Sequence, residues 1–424
     1  MSKVIADLHI HSRYARACSK DLSIKTLSHY SKIKGVDLLG TGDFQHPEWI
    51  KELKKELTEI ENTGIFQSKY GMKFMLTTEI SFVYTQGEKG RRIHLVTLAP
   101  NLEVADQITE ALGKRGRLDY DGRPIFGMSC IEYVEMMMSI SKDIEIIPGH
   151  AWTPWFGIFG SKSGFDSLKE CFQEKTKFIH AIETGISSDP AMNWRLSQLD
   201  NISIVSFSDS HSYWPWRMSR EATIFDLKEL SYKNIINSIR NQEIAETFEF
   251  FPEEGKYHYD GHRNCGIVVS PAECRKIKEI CPKCKKPLTI GVAHRVEELA
   301  DRPEGFKPQN AKPFRNVIPL SELISAAIGS PVASKKTFEI YYKMIKEFGN
   351  EFNILFDIGE DKLKKIVDEK ITSLIVQNRM QKVKFSPGYD GVYGHPIFDG
   401  IEIKPPKIKE EKVKKTPQKS LDEY

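Results

Sequence analysis

Residues that can bind a divalent metal follow a short apolar run near the start of the chain. Val4-Ile5-Ala6 leads into Asp7-Leu8-His9-Ile10-His11. Side chains of an extended strand alternate between its two faces, so His9 and His11 lie on one face, about 7 Å apart along the backbone. Two imidazoles placed in this way can bind one divalent metal. The pair is weak evidence alone, because paired surface histidines are common.

The same pattern recurs through the N-terminal half of the chain. Most later apolar runs with strand character carry or end in a metal-capable side chain, and these side chains are Asp43, Glu79, His94, His150, Glu183, Asp209 and His211. Stretches with helical spacing separate the runs, for example 22–34 and 47–62. Repeated strand–helix alternation predicts a parallel sheet, and polar residues at the carboxyl ends of its strands mark the active face of a barrel. The alternative, scattered buried residues satisfied by the backbone, does not explain their shared position.

The order of these motifs resembles that of the PHP (polymerase and histidinol phosphatase) metallohydrolases. The resemblance implies an α/β fold in which a distorted β/α barrel has about seven strands. It also implies a site for two or three divalent metals. One metal would be bound by His9, His11, Glu79 and Asp209, and a second by Glu79, His94 and His150.

The chain departs from the PHP pattern at the third metal site. The resemblance assigns His211 to this site, but Ala17 and Cys18 stand where the family often has a histidine. The residue that completes this third site is expected to be Asp43, His46 or Cys18. Glu183 has no counterpart among the family's ligands, and we expect it to orient a ligand, a bound water or the substrate.

Length and composition indicate a folded protein of two or three domains. The chain has 424 residues, 40% of them hydrophobic, and a net charge of +3. No apolar run approaches the roughly 18 residues that span a membrane, and residues 1–11 are typical of a strand rather than of a signal peptide. The expected location is therefore the cytoplasm, in association with the nucleoid. Basic residues cluster at 114–117, 275–286 and 404–419, which favours a phosphate-bearing partner.

Four of the seven cysteines lie close together in the sequence. Cys265 and Cys274 precede the pair Cys281 and Cys284, whose spacing is typical of a zinc knuckle. Four thiolates leave no open coordination position, so we expect this zinc to stabilise the structure. A redox pair is the alternative, and the lack of a thioredoxin-like βαβ pattern around it disfavours that role.

A helical segment and a charged tail follow the cysteine module. Proline-rich sequence at 303–313 separates the module from a segment whose apolar residues have helical spacing. The predicted domains are a PHP-type barrel at 1–248, a zinc-binding module and connector at 249–312, a helical domain at 313–402 and a disordered lysine-rich tail at 403–424.

The end of the tail resembles a sliding-clamp-binding peptide. The residues that carry this resemblance are Gln418, Leu421 and Tyr424. Chance matches to so short a pattern are frequent, so clamp binding and a chance match are both open.

The arrangement of the three folded parts resembles the endonuclease Q family of archaea. The resemblance extends over nearly the whole chain and includes Asp7–Tyr14, Cys265–Cys284 and His294–Arg302. It implies a DNA repair endonuclease that hydrolyses the phosphodiester 5′ to uracil, hypoxanthine, xanthine and abasic sites by metal-activated water, leaving a 3′-hydroxyl and a 5′-phosphate. The expected metal is zinc, with magnesium or manganese as the alternative working ion, and the partner is double- or single-stranded DNA. A PHP phosphatase acting on a small phosphate ester and a non-catalytic DNA-binding scaffold are the alternatives.

The expected roles follow from two metals acting on one phosphodiester. Asp209 and Glu79 would position the ions, and His150 or His211 would protonate or orient the leaving oxygen. A damaged base must leave the helix before its edge can be read, so a stacking pocket is expected. Two aromatic loops supply candidate substrate-binding residues, which are Trp152, Trp155, Trp214, Trp216 and Arg217. A lid packed on the barrel is the alternative role for these loops.

Overall fold

A computed structural model gives the fold, and it describes residues 2–398 and the backbone of 401–402. The predicted clamp-binding residues Gln418, Leu421 and Tyr424 lie outside this part of the chain. Within it, no helix is both long and apolar enough to cross a membrane.

The strands of the described residues form one sheet of eleven strands and three small sheets. In chain order the strands are β1 (Ser2–Asp7), β2 (Leu38–Gly40), β3 (Leu57–Glu59), β4 (Phe66–Ser68), β5 (Lys73–Gln86), β6 (Lys89–Ala99), β7 (Ile125–Phe126), β8 (Glu145–Pro148), β9 (Ala181–Glu183), β10 (Ser203–Val205), β11 (Ala222–Leu227), β12 (Ile244–Glu249), β13 (Asp260–His262), β14 (Ile267–Val269), β15 (Phe314–Asn316), β16 (Lys384–Ser386), β17 (His395–Phe398) and β18 (Ile401–Glu402).

Helices connect the strands and build most of the C-terminal part of the described chain. They are α1 (Ile24–Lys34), α2 (Pro47–Glu56), α3 (Leu102–Gly113), α4 (Cys130–Ile140), α5 (Leu168–Phe172), α6 (Pro190–Asn193), α7 (Tyr232–Arg240), α8 (Pro271–Lys276), α9 (Val292–Leu299), α10 (Leu320–Ile328), α11 (Lys335–Phe348), α12 (Glu351–Phe356), α13 (Glu360–Lys364) and α14 (Glu369–Arg379). Many begin at a hydroxyl cap, as Ser23 does for α1 and Ser129 for α4.

The large sheet is mixed rather than parallel. β1 pairs with β2 and β2 with β5 in parallel, whereas β1 pairs with β11, and β6 with both β5 and β8, in antiparallel orientation. The parallel sheet predicted from strand–helix alternation is therefore correct only in part. The reason is the tight turn between β5 and β6, where Gly87 and Glu88 both have φ of 60°. Two positive φ angles are typical of the hairpin turn that joins antiparallel strands.

Short contacts bring the strands round towards a barrel. The N–H of Ala151, after β8, donates to the carbonyl of Glu183 in β9 at 2.9 Å, and the N–H of Ser206, after β10, donates to Thr223 in β11 at 2.9 Å. One buried cluster inside this arrangement takes an apolar side chain from each of eight strands, namely Ala6, Leu38, Met75, Val96, Ile147, Ala181, Val205 and Phe225. The α/β fold class is confirmed, and a close-packed apolar interior fixes the strand ends that carry the site.

Two smaller parts follow the barrel. The hairpin of β13 and β14 and helix α8 surround a small core that contains Cys274, Cys281 and Leu288. Helices α10 to α14 pack together, and β15 joins the large sheet by pairing in parallel with β12. The domain limits proposed from the sequence stay a prediction.

A buried ion pair joins the helical part to the barrel. Nζ of Lys34, at the end of α1, lies 2.7 Å from Oε1 of Glu351 in α12. The same ammonium donates to the carbonyl of Pro215 at 2.8 Å. The loop after Asp209 is thus tied to both parts.

Candidate metal centre

The first cluster of metal-capable side chains consists of His9, His11, Glu79 and Asp209. Nε2 of His11 lies 3.0 Å from Oε2 of Glu79 and 3.1 Å from Oδ1 of Asp209. Nε2 of His9 lies 3.5 Å from each of the same two carboxylates. Four potential ligand atoms from three distant chain segments therefore face one point.

The second cluster consists of Glu79, His94 and His150. Oε1 of Glu79 lies 2.7 Å from Nδ1 of His94 and 3.2 Å from Nε2 of His150. Because Oε2 of the same side chain faces the first cluster, Glu79 is shared between the two. The structure thus brings together the six residues that the sequence assigned to two groups, with Glu79 in both.

Glu79 and His94 lie within the long strands β5 and β6, whereas the other cluster residues follow the ends of β1, β8 and β10. Asp7 fixes two of these ends relative to each other. The Asp7 carboxylate, at the end of β1, accepts hydrogen bonds from the N–H of Ser208 and of Ser219, each at 3.0 Å. The loop that carries Asp209 is therefore held against the segment that carries His9. Burial raises the pKa of Asp7 to about 6, against these hydrogen bonds, which lower it.

Three residues of the site have the left-handed backbone conformation that side chains other than glycine rarely adopt. Their φ angles are 45° for Asp43, 31° for His150 and 47° for Asp209. Such strain is typical of functional sites, where the surrounding structure holds it.

Carboxylates outside the clusters orient the ligand rings. Glu183 lies 2.9 Å from Nδ1 of His9, and it also accepts a hydrogen bond from the backbone N–H of His150 at 2.6 Å. Asp43 lies 3.0 Å from Nδ1 of His11. In both rings Nδ1 is thus engaged and Nε2 is directed at the cluster, the arrangement that tunes metal-bound histidines. The expectation that Glu183 orients a ligand agrees with its position.

The electrostatics of the clusters favour a cation. Burial alone would raise the pKa of Glu79, but the neighbouring His94, Arg123 and His9 hold it well below its usual range. Burial lowers the pKa of His94 to about 3 despite the opposing charge of Glu79, so this imidazole is neutral near pH 7, as a metal ligand must be. Burial also lowers the pKa of His9, but the carboxylates of Glu183, Glu79 and Asp209 raise it well above the ordinary value.

The donor set fits divalent metals. Nε2 of His9 is buried and has no hydrogen-bond partner among the described residues. An imidazole nitrogen without a partner is costly in a buried site unless a ligand engages it. Imidazole and carboxylate donors suit zinc, manganese and other divalent ions, and both clusters can hold such an ion.

The predicted third site is not assembled in the described part of the chain. Asp43 is engaged by His11 and by the N–H of Ser12 at 2.6 Å, so it supports a ligand instead of acting as one. His46 caps α2 and stacks on Tyr14. His211 packs against His11, with ring centroids 4.4 Å apart, but joins no group of three metal-capable side chains among the described residues. The assignment of Asp43 as a direct ligand is corrected accordingly.

Arg123 is a site residue that the sequence reasoning missed. Its Nη1 donates to Oε2 of Glu79 at 2.9 Å. The residue lies in the long connection between α3 and β7, where no strand pattern predicts an active-site position. The nearby basic cluster at 114–117 is the sequence signal that could have directed attention to this loop.

The aromatic residues separate into buried and exposed ones. Trp152 is fully buried and donates to Oδ1 of Asn193 at 2.7 Å, so the predicted base contact is wrong for this residue. Trp155 is 36% exposed and contacts Tyr257 edge to face, with centroids 5.6 Å apart. Of the four predicted tryptophans, it alone is classed as exposed.

Trp214 and Trp216 form part of the contact with the helical domain. Their rings stack at 5.0 Å, and both meet Phe338 of α11 edge to face. Trp214 also packs against Tyr30 of α1. Arg217 lies 5.7 Å from the ring centroid of Tyr393. The lid-like packing that was the alternative role therefore describes both tryptophans.

The cysteine module brings together three cysteines and a histidine. Cys265, Cys281 and Cys284 converge with His262, whose Nδ1 lies 3.2 Å from Sγ of Cys284. Cys274 is excluded because α8 turns its thiol towards Asp260 and His294. The predicted four-cysteine zinc set is therefore corrected to one histidine and three cysteines, which is also a common structural zinc site.

One thiol of this group, that of Cys281, has a pKa that favours metal binding. Burial would raise the pKa of Cys281, but hydrogen bonds from backbone N–H groups of Cys284 and Lys283 and from His262 lower it to about 6. The thiolate, which is the form that binds zinc, is thus favoured near neutral pH.

Comparison with other proteins identifies relatives along most of the chain. A family model described as the MJ0043 C-terminal domain matches residues 319–382. The uncharacterised protein MJ0043 of Methanocaldococcus jannaschii is 31% identical over 264 residues, which cover 61% of this chain and 32% of that protein, so the chain spans about a third of that relative. The uncharacterised protein YqxK of Bacillus subtilis is 27% identical over 416 residues, which cover 93% of this chain and 99% of that protein.

Two solved structures match over nearly their full length. The crystal structure of the lesion-specific endonuclease PfuEndoQ from Pyrococcus furiosus is 30% identical, with a TM-score of 0.84 over 93% of this chain and 95% of that one. A crystal structure of Endonuclease Q with a 27-mer duplex substrate, with an abasic lesion at the active site, is 30% identical, with a TM-score of 0.84 over 96% of this chain and 97% of that one.

Proposed function

Because this chain belongs to the endonuclease Q family and has two clusters of metal-capable side chains, we propose that it is a metal-dependent endonuclease that nicks DNA 5′ to deaminated bases and abasic sites. The deaminated bases are uracil, hypoxanthine and xanthine, and the products are a 3′-hydroxyl and a 5′-phosphate. The observation that carries the proposal is the division of the Glu79 carboxylate between two histidine clusters. The related endonuclease with an abasic lesion at its active site supports the same substrate class.

The reaction consumes one water. The water oxygen bonds to phosphorus, the bond from phosphorus to the 3′-oxygen breaks, and a proton ends on that oxygen. Divalent ions held by the two clusters would supply Lewis acidity and lower the pKa of water.

The residues of the chain position these groups and move the proton. Glu183 and Asp43 hold the Nδ1 edges of His9 and His11, which directs Nε2 of each ring into the first cluster. His211 lies at the rim, where its side chain is 29% exposed. Its Nδ1 lies 3.0 Å from the carbonyl oxygen of Asp209, and a carbonyl only accepts, so Nδ1 carries the hydrogen and Nε2 can accept a proton from the water.

Recognition of the lesion requires a base that has left the helix. Deaminated bases pair poorly, so extruding them costs at most a few kcal/mol. Trp155 follows the loop of His150 and has an exposed ring that can stack on a base or fill the gap it leaves. Stacking of this kind contributes about 1–3 kcal/mol per base.

The test uses labelled duplexes that contain uracil, hypoxanthine, xanthine or an abasic site, with an undamaged duplex as the control. Each is incubated with the protein and manganese, magnesium or zinc, and the ends are mapped. We expect nicks on the 5′ side of the lesions only. Each nick should have a 3′-hydroxyl and a 5′-phosphate, which a DNA ligase can reseal. D209N should bind the lesion duplex as the wild type does and fail to nick it. Release of phosphate from small esters without any nicking would overturn the proposal.

Clamp binding by residues 418–424 is a separate proposal that rests on the sequence alone. Deletion of these residues should abolish binding to a replication sliding clamp while lesion nicking on free duplexes stays unchanged. Equal clamp affinity of the full and shortened chains would remove it.

A further inference from the structure

Arg123 is a cation next to the shared carboxylate, and neither metal cluster includes it. Its Nη1 lies 2.9 Å from Oε2 of Glu79, the oxygen that also faces His11 at 3.0 Å. The Arg123 side chain is 26% exposed, whereas that of Glu79 is fully buried. The Arg123 side chain is therefore partly open to solvent while its guanidinium contacts the buried carboxylate that the two clusters share.

The loop that carries Arg123 is held in place from several sides. The N–H of Gly122 donates to the carbonyl of Tyr14 at 3.0 Å, and Nε2 of Gln45 donates to the carbonyl of Gly122 at 2.6 Å. On the other side, the N–H of Ser81 in β5 donates to the carbonyl of Pro124 at 3.1 Å. Segments that follow β1 and β2 thus fix this loop together with β5.

Glycine at position 122 allows the close approach. A Cβ at this position would lie 2.3 Å from Oδ2 of Asp43 and 2.9 Å from Cβ of Ala15. Any larger residue would push the loop, and Arg123 with it, away from the metal clusters. The position of Arg123 is therefore built into the fold.

The hydrogen bonds of Arg123 differ from those of structural arginines in the same chain. Arg240 donates from Nε to Glu145 and from Nη2 to two backbone carbonyls. Arg295 uses Nε and both Nη atoms in the same way. The Arg123 side chain donates a single hydrogen bond among the described residues, although a guanidinium has five N–H donors.

We infer that Arg123 binds the scissile phosphate of the DNA through these remaining donors and stabilises the charge that develops on phosphorus, an inference that rests on the proposed function. A planar guanidinium matches two phosphate oxygens at once and keeps its charge at any relevant pH. Fixed donors aimed at developing charge are worth about 100- to 1000-fold in rate. A phosphate bound at the two clusters would lie within reach of Arg123, because Arg123 donates to the Glu79 carboxylate that both clusters share.

The experiment compares R123M and R123K with wild type, and R315M serves as the matched control. Arg315, in β15, lies outside both metal clusters and outside the basic clusters of the sequence, donates to Glu246 and has a side chain that is 36% exposed. Four quantities are measured: bound metal per chain, thermal unfolding, affinity for a lesion duplex in the presence of chelator, and the single-turnover nicking rate at saturating metal.

We expect R123M to bind metal as the wild type does, to bind the duplex more weakly in chelator and to nick about 100-fold more slowly or worse. Added guanidinium ion should restore part of the R123M rate, R123K should retain more activity than R123M, and R315M should bind the duplex and nick it as the wild type does. Nicking by R123M at the wild-type rate overturns the inference, and so does a loss of nicking that follows a loss of bound metal, because Arg123 would then only hold Glu79. Absence of nicking by the wild type removes the proposed function itself.

Discussion

The carboxylate of Glu183 lies 2.9 Å from Nδ1 of His9, on the ring edge opposite the first metal cluster. The other oxygen of the same carboxylate accepts the backbone N–H of His150 at 2.6 Å. One buried side chain, which belongs to neither cluster, thus orients a residue of each. Because Glu183 is the last residue of β9, the position of this strand end sets the orientation of the His9 ring and the position of the His150 backbone.

Replacement of Glu183 by glutamine should weaken metal binding without unfolding the protein. The amide keeps an acceptor for the N–H of His150 but loses the charge that supports the His9 ring. Loss of such a supporting group typically lowers metal affinity about 10- to 100-fold. A chelator-competition titration measures the change.

Glu145 offers a matched control for Glu183. It is also a fully buried glutamate 2.9 Å from Nδ1 of a histidine, His180, but it lies outside the metal clusters. E145Q should lower the melting temperature while its metal affinity stays that of the wild type. If E183Q and E145Q gave the same metal affinity, Glu183 would have no role at the centre.

The corrected zinc set predicts that His262 and Cys274 behave differently. H262A should lose the zinc of the cysteine module, because it removes one of four converging ligands. C274S should retain a full equivalent of zinc, because its thiol faces Asp260 and His294. Zinc content of the purified proteins, with the metal centre at Glu79 emptied by mild chelation, decides between the two sets. Zinc lost in C274S and kept in H262A would restore the four-cysteine set.

Substitution of the exposed Trp155 and of the packed Trp214 should have different effects. W155A should reduce nicking at uracil with an unchanged melting temperature, since its ring is open to solvent. W214A should destabilise the protein by about 2–4 kcal/mol, because its ring packs on Trp216, Phe338 and Tyr30. Denaturant unfolding and single-turnover nicking measure both effects. A stable W214A that loses only lesion selectivity would return this residue to the substrate site.

Glu249 predicts a pH dependence of stability that is separate from the metal centre. Burial raises its pKa to about 8, against hydrogen bonds from Thr247, Thr184 and Ser206 that lower it. The folded protein then holds a proton that the unfolded chain has released, so stability falls as pH rises from the unfolded pKa towards about 8. E249Q removes this penalty, and its advantage over wild type should grow between about pH 5 and pH 9. If the free energies of unfolding of E249Q and wild type differed by the same amount at every pH, Glu249 would not titrate in this way.

The sequence could reveal residues that lie within or just after an apolar strand. His9, Glu79 and Asp209 each lie in or just after an apolar run, and a barrel-like sheet brings such positions together. The antiparallel pairing of β5 and β6 could not be read from alternation, because it depends on the turn at Gly87 and Glu88.

Other errors have equally local causes. Cys274 has plausible spacing for zinc, but its orientation is decided by the rotation of α8, which spacing does not encode. Trp152 and Trp155 are close in sequence, yet one is buried and the other open. Arg123 lies in a loop whose course is fixed by hydrogen bonds to three other segments, and such long-range contacts leave no periodic pattern in the sequence.

The most direct test of the shared centre is anomalous diffraction from crystals of the protein soaked in manganese. We predict one peak among His9, His11 and Asp209 and a second between His94 and His150, with one oxygen of Glu79 towards each. Both peaks should vanish or shift in E79Q. Peaks remote from these residues, or no ordered metal beside Glu79 under conditions in which the enzyme nicks DNA, would contradict the account.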